Sequence, residues 1–396
     1  MSPVLRRIAL AASGILLLWV AMAGVDRRAA PAASATRAHS IPAAGAKPLS
    51  PRARAAARAT RSATAADHAA DGQAWAARDP RVQRCQRDLD AATRARVAAL
   101  ARSDDERAQA VAALLQPFEP GEAGGLRQRT QQQLARLAVA AQRAPDDVQI
   151  AWLYAARCHA QDQCDQRAAI DRVLRLEPDN MAAWLLALEQ SDPRDQQAQA
   201  ALLQRAAAAP RLDWHYGALG MLVIERLTPL RVPSCEAVPE LLGTALGSRQ
   251  PLAVDGAVAV TACAVALTLP LAAGTRTPLC PARGSIAAAR LPACRAVFAR
   301  LADGDDLVSR LIGTTRMLAW AQTPAERAHW SERLRNLHWL QEQGANLMPP
   351  GYMRLVLEQG EVPTLIALLE AQGRWPAPPG WLPATPALRA QLAGLR

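Results

Sequence analysis

Three stretches of this 396-residue chain repeat one phrase: APDDVQIAWLYA from Ala144, EPDNMAAWLLAL from Glu177 and APRLDWHYGAL from Ala209. Pro145, Pro178 and Pro210 are 33 and 32 residues apart, and Trp152, Trp184 and Trp214 follow at separations of 32 and 30. A recurrence of this period constrains a fold strongly, because each unit must bury its apolar face against the next unit. Between the phrases, Ile170, Val173 and Leu174, then Leu202, Leu203 and Ala206, recur at helical spacing. Met181, Trp184, Leu185 and Leu188 occupy i, i+3, i+4 and i+7, one apolar helix face. Each unit therefore reads as two helices with a Pro-Asp turn between units.

The closest stretch, residues 145–210 and above all AAIDRVLRLEPDNMAAWLLAL, resembles the tetratricopeptide repeat. In that family a tryptophan opens the first helix of a unit, small residues let its two helices approach, and a proline closes the second. Trp152 and Trp184 match the first role, with Trp214 next in the series; Ala155 and Ala156 match the second and Pro178 the third. The spacings are shorter than the family's repeat of about 34 residues, and Ile170 replaces an aromatic. The resemblance covers residues 125–225. It implies an all-α fold of antiparallel helix pairs in a right-handed stack, with a concave face holding a peptide or partner protein. An irregular helical bundle without a groove is the alternative.

The rest of the chain is also helical in pattern. Aromatic residues make up 4% of it, so a core of Ala, Leu and Val must rely on close helix packing. Val97 and Leu100, then Val111, Leu114 and Leu115, flank the polar residues 103–107. Residues 117–125 read as a break before a long helix through Leu134, Leu137 and Ala138 to Arg143. Asp192-Pro193, with Asp195 following, predicts a cap and a proline at the first helical position. Thr323-Pro324-Ala325-Glu326 reads as a capping box. Asp104-Asp105 and Asp305-Asp306 precede helices, where carboxylates offset exposed backbone N–H groups. Residues 252–271 predict a buried helix, a membrane span being the alternative. Trp375 and Trp381 are expected to dock the proline-rich tail onto the helices. These patterns assign residues 71–230 to a helical repeat domain and 231–396 to a helical C-terminal domain.

Residues 1–70 differ in kind. Arg6 and Arg7 precede an uncharged run over residues 8–25. Its 18 residues can cross most of a bilayer core at about 1.5 Å each, giving an inner-membrane anchor. Ala21-Met22-Ala23 offers a signal-cleavage site, which would release a soluble periplasmic chain. The anchor or signal occupies residues 1–28. Residues 29–70, rich in Ala, Pro and Arg, lack the apolar side chains to offset the entropy of ordering and read as a disordered linker. Residues 1–70 hold ten basic and two acidic residues, whereas the remaining 326 hold 36 and 33. The formal net charge of +11 is thus mostly a property of the tail, and the folded part lacks the excess expected of a nucleic-acid binder.

Seven cysteines favour an oxidising compartment, with the bulk of the chain in the periplasm. Cys158 and Cys164 are read as a staple across a turn; Cys280 with Cys294 and Cys235 with Cys263 are neighbours, which leaves Cys85 over. No catalytic, cofactor-binding or metal-ligating set is assigned, and no cofactor. His215, between Trp214 and Tyr216 in a predicted helix, reads as packing or hydrogen bonding, as does His338. Three functions remain: an envelope scaffold or adaptor that binds another protein or peptide, a periplasmic enzyme gathering His215, His329 or His338 with carboxylates, and a purely structural spacer.

Overall fold

The computed structural model describes residues 78–392, apart from 117–124, 159–163, 229, 246–251, 268–278, 282–285, 345–346, 348 and 350. The expected anchor at residues 8–25 and the linker at 29–70 lie outside the described residues. Among the described residues there are seventeen helices and no strand. No helix of that set is long and apolar enough to cross a membrane.

The first seven helices are α1 (Pro80–Ala101), α2 (Glu106–Leu115), α3 (Gly125–Arg143), α4 (Val148–Cys158), α5 (Gln166–Leu176), α6 (Met181–Gln190) and α7 (Gln196–Ala208). Each packs against the next. Their starts are set by short acceptors that take the free N–H groups of the first turn. Asp79 caps α1, Asp105 caps α2, Asp165 caps α5 and Asn180 caps α6. At α7 the expectation is corrected by three residues. Asp195 is the cap, accepting from the Ala198 N–H at 2.9 Å. Asp192 instead accepts from the Arg194 N–H at 2.8 Å and closes a turn ahead of the helix.

After α7 the chain changes course. Helix α8 (Tyr216–Leu227) leaves the row and packs on α1, α2, α11 (Val254–Leu267) and α15 (Tyr352–Gln359). The short α9 (Pro233–Glu236) and α10 (Pro239–Ala245) cover α1. Helix α12 (Leu291–Leu301) then packs on α7, followed by α13 (Leu307–Ala319), α14 (Pro324–Gly344), α16 (Glu361–Glu370) and α17 (Pro386–Leu392). Residues 254–267 form a 14-residue helix of about 21 Å, buried against α8 and α15. The capping box of α14 forms as expected: the Glu326 N–H donates to Thr323 Oγ1, and the Glu326 carboxylate accepts from the Gln322 N–H at 2.8 Å.

One apolar cluster joins the two halves. Met181, Ala182, Ala183, Leu185, Leu186, Ala187 and Leu188 of α6 are all buried, which covers the helix except at Trp184 and its last two residues. All but Ala187 share a core with Phe298, Leu301, Met317, Trp330 and Leu334 from α12, α13 and α14. The tail docks on α14. Trp339 donates to the Arg374 carbonyl at 2.8 Å, Arg335 donates to the Pro378 carbonyl at 2.7 Å, and the rings of Trp339 and Trp381 meet edge to face at 5.2 Å.

Three disulfides tie the fold: Cys85–Cys235, Cys158–Cys164 and Cys280–Cys294, with Cα–Cα distances of 4.6, 5.5 and 5.7 Å. The expected pairing of Cys235 with Cys263 is corrected. Cys263 is free and buried on α11, facing α15, where its thiol donates to the Met353 carbonyl. Cys235 faces α1 because α9 packs there, which brings Cys85 into reach across 150 residues.

Candidate functional site: two buried polar joints

The repeated phrases place polar side chains at the turns between helix pairs. In the second phrase Asn180 serves three partners. Its Oδ1 accepts from the Ala182 N–H at 3.1 Å, capping α6, and from the Asp213 N–H at 3.0 Å. Its Nδ2 donates to the Asp213 carbonyl at 2.8 Å and to Glu177 Oε2 at 3.1 Å. The backbones of the second and third phrases also pair directly, the Met181 N–H donating to the Arg211 carbonyl at 2.8 Å.

Glu177, the residue before Pro178, is the centre of this joint. Its carboxylate is 5% exposed. Oε2 accepts from Trp152 Nε1 at 2.6 Å and lies 2.6 Å from His215 Nε2, while Oε1 accepts from Arg211. Burial alone raises a carboxyl pKa. Here the hydrogen bonds from His215, Arg211, Trp152 and Asn180 outweigh it and hold Glu177 well below the usual carboxylate range. Arg211 also reaches Asp179 at 3.0 Å and Asp213 at 3.6 Å.

His215 corrects the helix expected around it. It is the N-cap residue of α8, in left-handed conformation with φ 56°, so Trp214 precedes the helix. Its backbone N–H donates to Asp213 Oδ1 at 2.7 Å, and its ring lies tilted against that of Trp152, with centroids 5.2 Å apart. From the same short segment, Trp214 Nε1 donates to Ser309 Oγ at 3.2 Å, at the start of α13. Residues 211–216 therefore touch the repeat row, α13 and the core of α8 in succession.

The second joint begins at the next residue. Tyr216 on α8 lies beside the Cys263 thiol of α11, with Tyr352 of α15 and Glu361 of α16 close enough to influence the titration of this group. Burial pushes the Cys263 thiol up to about 12 and raises both tyrosines above their ordinary values. Burial also raises Glu361 to about 7, with the Asp306 carboxylate adding to the effect and a hydrogen bond from the Leu307 N–H at 2.9 Å opposing it. A thiol with that pKa has no thiolate at neutral pH and is a poor nucleophile. The chemistry open to this joint is proton uptake at Glu361.

The residues expected to pack the repeats take these places. Trp152, Ala155 and Ala156 are buried on α4 and Ile170 on α5. Pro178 sits in the turn after α5, and Trp184 is half-buried with Nε1 donating to the Pro178 carbonyl at 2.8 Å. The histidines do not share one pocket: His215 is in the first joint, His329 is exposed beside Trp330, and His338 is buried beside Gln341. Burial lowers the pKa of His338. Among the described residues no group of three or more His, Cys, Asp or Glu is placed to hold a metal. Sequence reasoning missed Glu177, Asn180 and Arg211 as a unit. The available signal was position: all three stand in the repeated phrases, and polar residues in a recurring turn have backbone groups to satisfy.

No protein-family profile, curated protein or solved structure matches the chain.

Proposed function

We propose that this chain is a membrane-associated periplasmic scaffold or adaptor, built on tetratricopeptide-like helix pairs, that holds another envelope protein or peptide. The observation that carries the reading is the use made of the interior polar groups. Glu177, Asn180, Arg211 and His215 bond to one another and to backbone across successive turns, which stiffens a row of helices. Three disulfides add support for an oxidising compartment.

The partner surface in this reading is not the α6 face of the repeats, since only Trp184, Glu189 and Gln190 of α6 reach solvent. It lies on the outer helices. Arg167, Asp171 and Arg175 of α5 and Gln197, Gln204 and Arg205 of α7 are exposed. A polar, preformed surface of this kind suits a partner recognised by charge and hydrogen bonding.

The test is affinity capture from solubilised membranes, comparing the intact chain, a chain lacking residues 8–25, and Arg167→Glu with Arg175→Glu. One partner should be recovered reproducibly with the intact chain, and the charge-reversed variant should lose it while keeping its melting temperature. Recovery of no reproducible partner overturns the adaptor reading. Full reduction of the cysteines in native material overturns the compartment.

A further inference from the structure

Helix α1 has one face that the fold does not use. Val82, Cys85, Gln86, Asp90, Val97 and Leu100 turn inward. Arg84, Arg87, Arg94 and Arg102, the last at the C-cap, are exposed. At 3.6 residues per turn these four fall within an arc of roughly 80° opposite the buried side. They share it with exposed Pro80, Ala91 and Ala98, and with no acid. Other charged groups on α1 have partners. Arg81 pairs with Asp79, Arg96 donates to the Arg226 carbonyl, and Asp88, at the rim of the arc, accepts from Ser234 Oγ at 2.6 Å. The four guanidinium groups have no ion pair or hydrogen bond among the described residues.

Two further facts say what such a face meets. Nine residues before α1 the chain leaves residues 1–70, which carry ten basic residues against two acidic ones and contain the uncharged run at 8–25. The face is also long, because the 22-residue helix extends for about 33 Å. A continuous row of guanidinium groups separated by alanine fits a flat array of phosphates, which take guanidinium forks and attract basic segments beside a membrane. No large apolar side chain lies on the arc, so the contact is electrostatic and does not insert.

We propose that α1 lies with Arg84, Arg87, Arg94 and Arg102 on the headgroups of an anionic lipid bilayer, so that the helical domain rests on the membrane. The proposal builds on the reading of residues 8–25 as an anchor and adds the side of the domain that faces the lipid.

The full-length chain is reconstituted into vesicles of phosphatidylcholine alone or mixed with phosphatidylglycerol, and arginine labelling by phenylglyoxal is followed by peptide mass. On the anionic vesicles Arg84, Arg87, Arg94 and Arg102 should label about fivefold more slowly than on the neutral ones. Arg175 and Arg327, exposed on other helices, should not change. The protection should vanish in about 1 M salt, where the screening length falls to about 3 Å. In the variant R84Q/R87Q, Arg94 and Arg102 should label at similar rates on both vesicles. Equal rates for the intact chain on both vesicles overturn the proposal, as does uniform slowing of all arginines. Protection that needs membrane proteins and not lipid alone also overturns it, in favour of an acidic protein partner. Flotation with neutral vesicles reads the anchor separately: a chain that fails to float lacks it, whatever the labelling of α1.

Discussion

Glu177 carries more of the interior electrostatics than any neighbour. It is a buried acceptor for Trp152, Asn180 and Arg211 and lies beside His215. Glu177→Ala leaves Trp152, Asn180 and His215 buried without that acceptor, while the partly exposed Arg211 keeps Asp179, and breaking a buried charged set from one side costs up to about 3–5 kcal/mol. The expected result is a large fall in the midpoint of chemical unfolding, with Asp179→Asn as the exposed control within about 0.5 kcal/mol of the parent. Glu177 and Glu361 act oppositely with pH. The pKa of Glu177 is lowered by folding, so its contribution is complete above its unfolded value of about 4.5 and is lost as pH falls further. That of Glu361 is raised to about 7, so its contribution is fullest below about 4.5 and is lost as pH rises through 7. Melting temperatures at pH 5.5 and 8 should therefore differ in the parent, the lower pH being more stable, and the difference should shrink in Glu361→Gln. An unchanged difference in that variant removes Glu361 as its cause.

At the scale of the helices, the crossings depend on residues without side chains. A Cβ on Gly313 of α13 would stand 2.6 Å from the Phe298 carbonyl oxygen and closer still to the Ala302 nitrogen, both backbone atoms of the α12 segment. Backbone cannot move aside as a side-chain end can, so α12 and α13 must separate. Gly313→Ala is expected to cost about 1–3 kcal/mol by overpacking, although alanine favours a helix by about 1 kcal/mol over glycine. A gain in thermal stability would show that this crossing is looser than described. The caps at this scale were legible in sequence: Asp105, Asp306 and Thr323 stand where their residue types predict. The cap at Asp192 was not, because Asp192-Pro193 and Asp195 are both sound starts, and only the path of α7 on α6 selects the second. Trp214 misled for a related reason. Its spacing from Trp184 is close to the repeat, but Asp213 is adjacent to it, whereas Asp147 precedes Trp152 by five residues. The third phrase therefore has a left-handed cap at His215 where the earlier ones are already helical.

For the whole molecule, the disulfide between Cys85 and Cys235 closes the longest span, fastening α1 to the start of the C-terminal half. In the chain-entropy account a loop of 150 residues is worth about 5 kcal/mol and one of 6 residues about 2 kcal/mol. Cys85→Ser with Cys235→Ser should accordingly destabilise the domain more than Cys158→Ser with Cys164→Ser, as read from unfolding midpoints. Thiol counting on the native chain should find no reactive cysteine, and on the unfolded chain one, which peptide mapping assigns to Cys263. A label on native Cys85 or Cys235 would contradict the pairing.

The all-helical class, the Pro-Asp turns and most helix starts followed from the sequence because capping and amphipathic spacing act over a few residues, within reach of any reader of the chain. The neighbouring pairs Cys158–Cys164 and Cys280–Cys294 were legible for the same reason. The partner of Cys85, the isolation of Cys263 and the gathering of Glu177, Arg211 and His215 depend on which helices lie side by side. Only the tertiary structure decided that: α9 packs on α1, α11 packs on α8 and α15, and the third repeated phrase pairs with the second. The outer arginine face of α1 lies between these cases. Its periodicity is written in the sequence, but its freedom from partners became visible only once the other side of the helix was seen packed against α2 and α9.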